Sequence, residues 1–564
     1  MLLTPRSTPE SACTEGAKCW SHGRFTIAWR GYAWYPGQRE GEDSISAIGR
    51  ELHSHSLAEL APRLKGVYGL FVYDHKLREW YITGDPSGLF RIYYSNIVVS
   101  TRFLNLCSHI RAKPVDIIAD NVIEYIAHGA ILGEETFLRQ IRVLRDHELI
   151  SLNNKDGRES LRILSKKSTD PAENPEEILV EIVRGIKESL EGRRLSVDLT
   201  GGLDSRILVC LCTNEDLPFE TAISGREDNP DVIIARRISE IIGREFYCTP
   251  HHVDRLDDEL SLVFEVGDAH TDVLHYHRDL QHAKARLNRG INLMMHGGGG
   301  EFYRDHSFVH DFPRYGSPHS NLERLYRLRV CPLPIPQAML TERGRRILSG
   351  IEARTIEKFK NYVSSTNNET CERVYLHLRL PEFMGAFYSN YIHLGLDVVA
   401  PFFDREAIEG IMRTSPWSRF FALWHRRFLT RRCPTLSRLP TMDGVTASAL
   451  WHDMLRDSAI YAAIQLRRAA RKMTQRYFGR SMFYNVGAFA AHHPDYMSAA
   501  FRTRTLERAV DALKEFDILA PDLRPGDINT FHLGRVLTAG LLLDRLYATE
   551  REGEEKERQP LSST

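Results

Sequence analysis

Apolar and polar positions along the chain change their period near residue 176. From residue 24 to about 160 they fall into short runs suited to strands. Phe25-Thr26-Ile27-Ala28-Trp29 alternates and ends at the Gly31-Tyr32 turn. Residues 66–74 form a buried run, and residues 79–83 follow a polar turn, the order of a hairpin. Gly84-Asp85-Pro86-Ser87-Gly88 is a loop. Residues 92–94 and 97–100 predict a second hairpin, and 120–128 a helix. Residues 166–176 are polar, with Ser168, Pro171 and Pro175, as in a linker. Beyond them Ile178, Leu179, Ile182, Val183 and Ile186 recur at helical spacing. A strand over 195–199, a helix from 203, a strand over 219–224, a helix over 231–242 and a strand over 245–248 come next. That βαβαβ order predicts a parallel sheet with a ligand at the C-terminal strand edge. Another buried strand, 291–295, ends in glycines. Residues 445–550 predict helices, with Leu533, Val536, Leu537, Leu541, Leu542, Leu543 and Leu546 as a packing stripe. The charged residues 550–564 predict a disordered tail.

Length and charge narrow the picture. A chain of 564 residues exceeds one core, so two or more domains are expected. Its 74 basic and 74 acidic residues give no electrostatic case for nucleic acid or an acidic membrane as main partner. No run reaches transmembrane length, and the first twenty or so residues lack the apolar core of a secretory signal. The nine cysteines show no paired spacing, and Cys210 and Cys212 stand two apart in a helix, so free thiols in a reducing cytoplasm are expected. His251-His252 and His275-Tyr276-His277 lack a third ligand at metal spacing and read as satisfied or exposed.

Two glycine turns carry the candidate chemistry. Thr200-Gly201-Gly202-Leu203-Asp204-Ser205 joins a strand to a helix. Outward N–H groups and the positive end of the helix dipole make such a turn an anion site. The glycines let backbone approach phosphate, and Thr200 and Ser205 offer hydroxyls. Asp204 repels phosphate and makes sense holding a Mg²⁺ on it. A glycine-rich turn of no special function is the plain alternative. There is no Gly-Lys-Ser/Thr, so this is not a Walker loop. The second turn, His296-Gly297-Gly298-Gly299-Gly300-Glu301, costs backbone entropy that a close ligand would justify; a flexible loop tip is the alternative.

The first hexapeptide resembles the Ser-Gly-Gly-x-Asp-Ser loop of the ATP pyrophosphatase superfamily, with Thr200 for serine. Arg206 departs from the commoner serine and either adds a cation near phosphate or faces solvent. The second turn resembles the Gly-x-Gly-x-Asp-Glu of asparagine synthetase-like enzymes. There the aspartate is a Mg²⁺ ligand, which implies Asp204 and Glu301 as the metal pair. Val398-Val399-Ala400-Pro401-Phe402-Phe403-Asp404 matches the second half of that family's Arg-x-Pro-Phe-Leu-Asp, although Asp404 suits a helix N-cap equally. The segment from Trp424 to Pro434 stands where the family has a catalytic lysine. Arg426 or Arg427 would supply that charge, or lie on a solvated face.

At the front, Gly66-Val67-Tyr68-Gly69, Asp74, Gly84-Asp85-Pro86-Ser87-Gly88 and Tyr93-Tyr94 resemble, in order, the class II glutamine amidotransferase domain of asparagine synthetases. Its nucleophile is an N-terminal cysteine whose α-amine is the base. Here Leu2 follows Met1, Cys13 and Cys19 are internal, and Gly31-Tyr32-Ala33 replaces the glutamine-binding Asn-Gly-Glu. The domain is therefore expected to be a relic without glutaminase activity, processing at Cys13 or Cys19 being the alternative.

The resemblance implies an extension over 1–23 and an α+β Ntn-type amidotransferase-like sandwich over 24–165. A linker over 166–176, an α/β parallel-sheet ATP pyrophosphatase domain with a helical C-terminal part over 177–549 and the tail over 550–564 complete the chain. ATP and Mg²⁺ are the implied cofactors. Nucleotide contacts fall to Thr200, Gly201, Gly202, Asp204, Ser205, Arg206, Ser224, Gly297, Gly298 and Gly299, with adenine and ribose near Ile223-Ser224-Gly225. The implied activity is that of a cytoplasmic, AMP-forming carbon–nitrogen ligase. It adenylates a carboxylate, in a small molecule or peptide, and captures it with an amine, as β-lactam synthetases and lasso-peptide macrolactam cyclases do. Proteins of a biosynthetic pathway are the implied partners, with no nucleic acid and no membrane. An ammonia-using asparagine synthetase-type amidotransferase and a non-catalytic relic are the other readings.

Overall fold

The computed structural model describes residues 1–14, 17–39, 42–155, 157–168, 170–190, 192–304, 316–478 and 494–558. Among the described residues the front half holds ten strands: β1 Leu2–Leu3, β2 Lys18–His22, β3 Phe25–Gly31, β4 Tyr68–Asp74, β5 Glu79–Gly84, β6 Tyr93–Ser95, β7 Val98–Ser100, β8 Arg142–Val143, β9 Glu148–Lys155 and β10 Arg158–Ser165. They make two antiparallel sheets, ordered β1-β7-β6-β8 and β10-β9-β5-β4-β3-β2. Both expected hairpins form, with Asp74 opposite Glu79 and Ser95 opposite Val98. The expected helix at 120–128 is α1, Ala119–His128, closed by Gly129 in the left-handed region at φ +80°.

The first 23 residues, expected as an extension, pair with strands of both sheets. Leu2 and Leu3 pair with Ser100 and Val99, and Lys18–His22 pairs along β3. Met1 and Leu3 are buried there, because the edge strand β7 offers unpaired backbone and an apolar neighbour. The free thiols expected at Cys13 and Cys19 are corrected. The chain returns along β2 and the two sulfurs are bonded to each other. The linker is tethered: the Lys166 ammonium donates to the Gly84 carbonyl at 2.9 Å, and the Ala172 N–H to the Glu406 carbonyl at 3.1 Å.

The back half opens with α2, Pro175–Glu188, whose first turn has Asn174 as cap and proline at N1. Then come β11 Leu195–Asp198, α3 Leu203–Asn214, β12 Glu220–Ser224, α4 Pro230–Ile242, β13 Phe246–Thr249, α5 Val273–Asn288, β14 Leu293–Met295, α6 Leu380–His393, β15 Asp397–Val399, α7 Arg405–Arg413 and α8 Leu423–Arg432. The five strands are parallel in the order β13-β12-β11-β14-β15. The long helices after them are α9 Trp451–Phe478, α10 Arg504–Glu515 and α11 Thr530–Arg558. The apolar stripe from Leu533 to Leu546 is buried. Helix α11 runs on to Arg558, where a disordered tail was expected from 550; residues 559–564 lie outside the described residues. So do residues 479–493 of the expected helical region.

One apolar core spans both halves. Phe71, Trp80, Ile82, Val99 and Ile150 of the antiparallel sheets belong to the same buried cluster as Val197, Leu199, Met295 and Val399. Buried ion pairs stitch the same junction. Glu382 receives Arg91 at 2.8 Å and Arg145 at 2.9 Å, and Lys65 reaches Asp404 at 3.1 Å and Glu406 at 2.8 Å. Such pairs are costly to break from one side, at about 3–5 kcal/mol.

Asp85 closes the loop that the sequence shows at 84–88. Its carboxylate accepts N–H groups from Ser87 (3.0 Å), Leu89 (3.1 Å) and Phe90 (2.7 Å). Burial outweighs these contacts and pushes its pKa up to about 6. A raised carboxylate pKa means the folded chain holds the proton more tightly than the unfolded one. That contribution to stability is present below about pH 4 and is lost as pH rises through 6. Urea unfolding should show roughly 3 kcal/mol of such loss between pH 4 and 7 from this group. Asp85→Asn, which keeps an acceptor at one of the two oxygen positions and cannot ionise, should abolish that share of the pH dependence.

Candidate functional site

The strand order places a topological switch point beside β11. The chain leaves β11 towards β12 and β13, then crosses back to lay β14 on the other side. Two connections that diverge from neighbouring strands open a crevice at the strand C-termini, where open α/β sheets bind ligands. Both glycine turns lie there, one after β11 and one after β14.

The two turns abut. A Cβ on Gly297 would stand 3.2 Å from the Ser205 nitrogen, and one on Gly300 2.4 Å from the Asp204 carboxylate. A Cβ on Gly298 would meet the Tyr388 hydroxyl at 2.8 Å, and one on Gly299 the Phe403 ring at 2.6 Å. Gly297, Gly298 and Gly299 thus have a cause within the protein: a side chain at any of them would press on the other turn, the Tyr388 hydroxyl or the Phe403 ring. Gly299 also needs its left-handed φ of +92°.

Inside the first turn several donors are already engaged. The Thr200 N–H donates to Ser205 Oγ at 3.1 Å, the Gly202 N–H to Thr200 Oγ1 at 3.1 Å, and the Gly201 N–H to Asp231 Oδ1 at 3.0 Å. Gly202 is the N-cap of α3 and brings no side-chain acceptor, so no cap covers the first-turn N–H groups. Ser224 is half-buried at the end of β12, the neighbouring strand, as the sequence requires.

Asp204 receives His425 Nε2 on Oδ1 at 2.7 Å and Arg304 on Oδ2 at 2.9 Å. Burial works against its charge, but Arg304 and then His425 outweigh burial and hold its pKa below the usual carboxylate value. Glu301 accepts the Tyr375 hydroxyl at 2.7 Å and the Gly299 N–H at 2.9 Å. Both carboxyl groups therefore lie by the same crevice, each with partners of its own. Mg²⁺ is usually held by one or two carboxylates together with waters and substrate phosphates, and here both Asp204 oxygens already face nitrogen donors. Among the described residues no three His, Cys, Asp or Glu side chains gather to hold a metal. The expected metal pair, Asp204 and Glu301, thus stands beside one crevice with both carboxylates engaged by protein donors.

Arg206 and Arg426 are placed differently from their expectations, and Arg427 takes its solvated alternative. Arg206 is buried, neither near phosphate nor in solvent, because its guanidinium donates to the carbonyls of Gly201, Leu436, Leu439 and Pro440. Burial pushes its pKa down to about 10. Arg206→Met should lower unfolding stability by about 2 kcal/mol, measured by urea titration, since it strands buried carbonyls. Arg426 is also buried, on Asp457 at 3.1 Å and the Ser448 carbonyl at 2.9 Å, and Arg427 is exposed to solvent. The helix instead turns His425 to the site. Asp404 is the N-cap of α7, accepting the Ala407 N–H at 3.1 Å.

One cluster escaped the sequence reading. Asp198, at the tip of β11, is paired with Arg286, and His282 stands 3.7 Å away. Those two lie four apart on α5, one turn on one face, which was the available signal. His296 Nδ1 accepts the Gly298 N–H at 2.9 Å and the Tyr388 hydroxyl at 2.6 Å. A backbone N–H only donates, so Nε2 carries the ring proton, and it faces Asp198 at 3.8 Å. Burial works against the Asp198 charge, yet Arg286 and the two histidines hold its pKa far below the ordinary range.

No protein-family model matches the chain, and no curated protein matches it in sequence. Among solved structures, the NMN synthetase from Francisella tularensis is similar at 16% identity over 36% of this chain and 92% of that one, with a TM-score of 0.19. A likeness of that size carries no argument about site or activity.

Proposed function

We propose that the chain is an ATP-dependent ligase whose nucleotide lies in the crevice between β11 and β14. The observation that carries this reading is the switch point itself, with the Thr200–Ser205 turn at its centre. In the proposed arrangement the first-turn N–H groups of α3 and the hydroxyls of Thr200 and Ser205 hold phosphate, Ser224 borders the nucleoside, and Arg304 adds positive charge. A substrate carboxylate oxygen bonds to the α-phosphorus as the bond to the bridging oxygen breaks, and pyrophosphate leaves. An amine nitrogen then attacks the acyl carbon, AMP leaves and the nitrogen gives up a proton.

In this reading the front half is the amidotransferase-like relic of the resemblance and supplies no ammonia. The Cys13–Cys19 disulfide, which leaves neither sulfur free as a nucleophile, supports that. A second reading has its own support. The Asp204 oxygens and several turn N–H groups are engaged by protein, as in a site that binds nucleotide without turnover. Exchange of labelled pyrophosphate into ATP, run over a panel of carboxylates and peptides, tests the ligase. Nucleotide binding without exchange would favour the second reading, and release of glutamate from glutamine would revive a working amidotransferase.

A further inference from the structure

Helix α9, Trp451–Phe478, buries one side and exposes a long apolar line on another. Its early turns are anchored: Asp457 is fully buried under Arg426 and Thr446, and the Tyr461 ring lies 4.3 Å from that of Phe421. Trp451, Leu455, Leu466, Met473 and Tyr477 are nevertheless between 58% and 77% exposed. At about 100° per residue these positions fall within roughly 80° of one another, so they make one stripe about 39 Å long. A monomeric soluble surface scatters single apolar residues, and a continuous line of them marks a contact.

Charge says what the contact is with. The chain as a whole is balanced at 74 basic and 74 acidic residues. Residues 458–478 hold five basic residues, from Arg467 to Arg476, and no acidic one. We propose that α9 docks the protein on an anionic phospholipid surface, lying in the plane of the interface. Leu455, Leu466 and Met473 would enter the boundary between headgroups and acyl chains. Trp451 and Tyr477, at the two ends, would sit at the polar level that aromatic rings favour, and the arginines would attract acidic headgroups. This is peripheral attachment, since no helix among the described residues is long and apolar enough to cross a membrane. Whole-chain neutrality argued against a membrane partner; the segregation of charge onto this helix removes that ground. A nucleic acid would use the arginines but not the apolar line.

Co-sedimentation of the full chain with vesicles tests the proposal. Vesicles with one third phosphatidylserine should bind it at least about tenfold more strongly than pure phosphatidylcholine, and salt should weaken the binding. Leu466→Glu should cut binding about tenfold, and Arg467→Glu severalfold, both with an unchanged melting temperature because each side chain is exposed. The proposal is overturned by equal or absent binding to both vesicle types, or by a Leu466→Glu variant that binds like the parent. It is also overturned if that variant instead turns a dimer into a monomer, or if soluble polyglutamate binds while vesicles do not.

Discussion

Asp204→Asn should lose at least about 100-fold in ATP–pyrophosphate exchange while melting within a few degrees of the parent chain. The amide keeps an oxygen for His425 and fills the same space against Gly300. It removes the charge that holds Arg304 at the mouth of the crevice. Asp204→Ala should lose exchange as fully but cost stability too, because the buried His425 imidazole would lose its 2.7 Å partner. Normal exchange in the asparagine variant would place the nucleotide elsewhere.

Arg426→Ala should have the larger effect on folding, lowering unfolding stability by about 4 kcal/mol. It leaves Asp457 charged and buried, with only the Thr446 N–H and hydroxyl and Arg456 to serve it. Denaturant unfolding reads the loss directly. Arg427→Ala, on an exposed side chain of the same helix, should stay within about 0.5 kcal/mol. If Arg426→Ala instead kept its stability and lost exchange alone, the arginine would be a catalytic group after all.

The elements were legible where a period was strong. The hairpins, the βαβαβ run and the two glycine turns stand where the alternation and the Gly clusters put them. Side-chain assignments were less legible, because they depend on partners far along the chain. Arg206 answers to carbonyls more than 200 residues away, and nothing near position 206 announces them. Asp204 faces Arg304 and His425, which are 100 and 221 positions on, so a motif that suggested a metal also meets two nitrogens. The four glycines were visible, but their cause was not: a close neighbour of any kind asks for glycine, and here the neighbour is the other turn. Strand β15 was missed because Asp397 opens it and Pro401 follows closely, leaving only Val398, Val399 and Ala400 as an apolar run.

The interior that runs unbroken from Phe71 and Trp80 to Val197 and Val399 has a bearing on how this chain can change over time. Cutting it at the tether would leave a wide greasy scar on each fragment, so neither piece should survive alone. Under the proposed function, a front half without chemistry of its own could still not be shed, because its side chains complete the interior on which the parallel sheet rests.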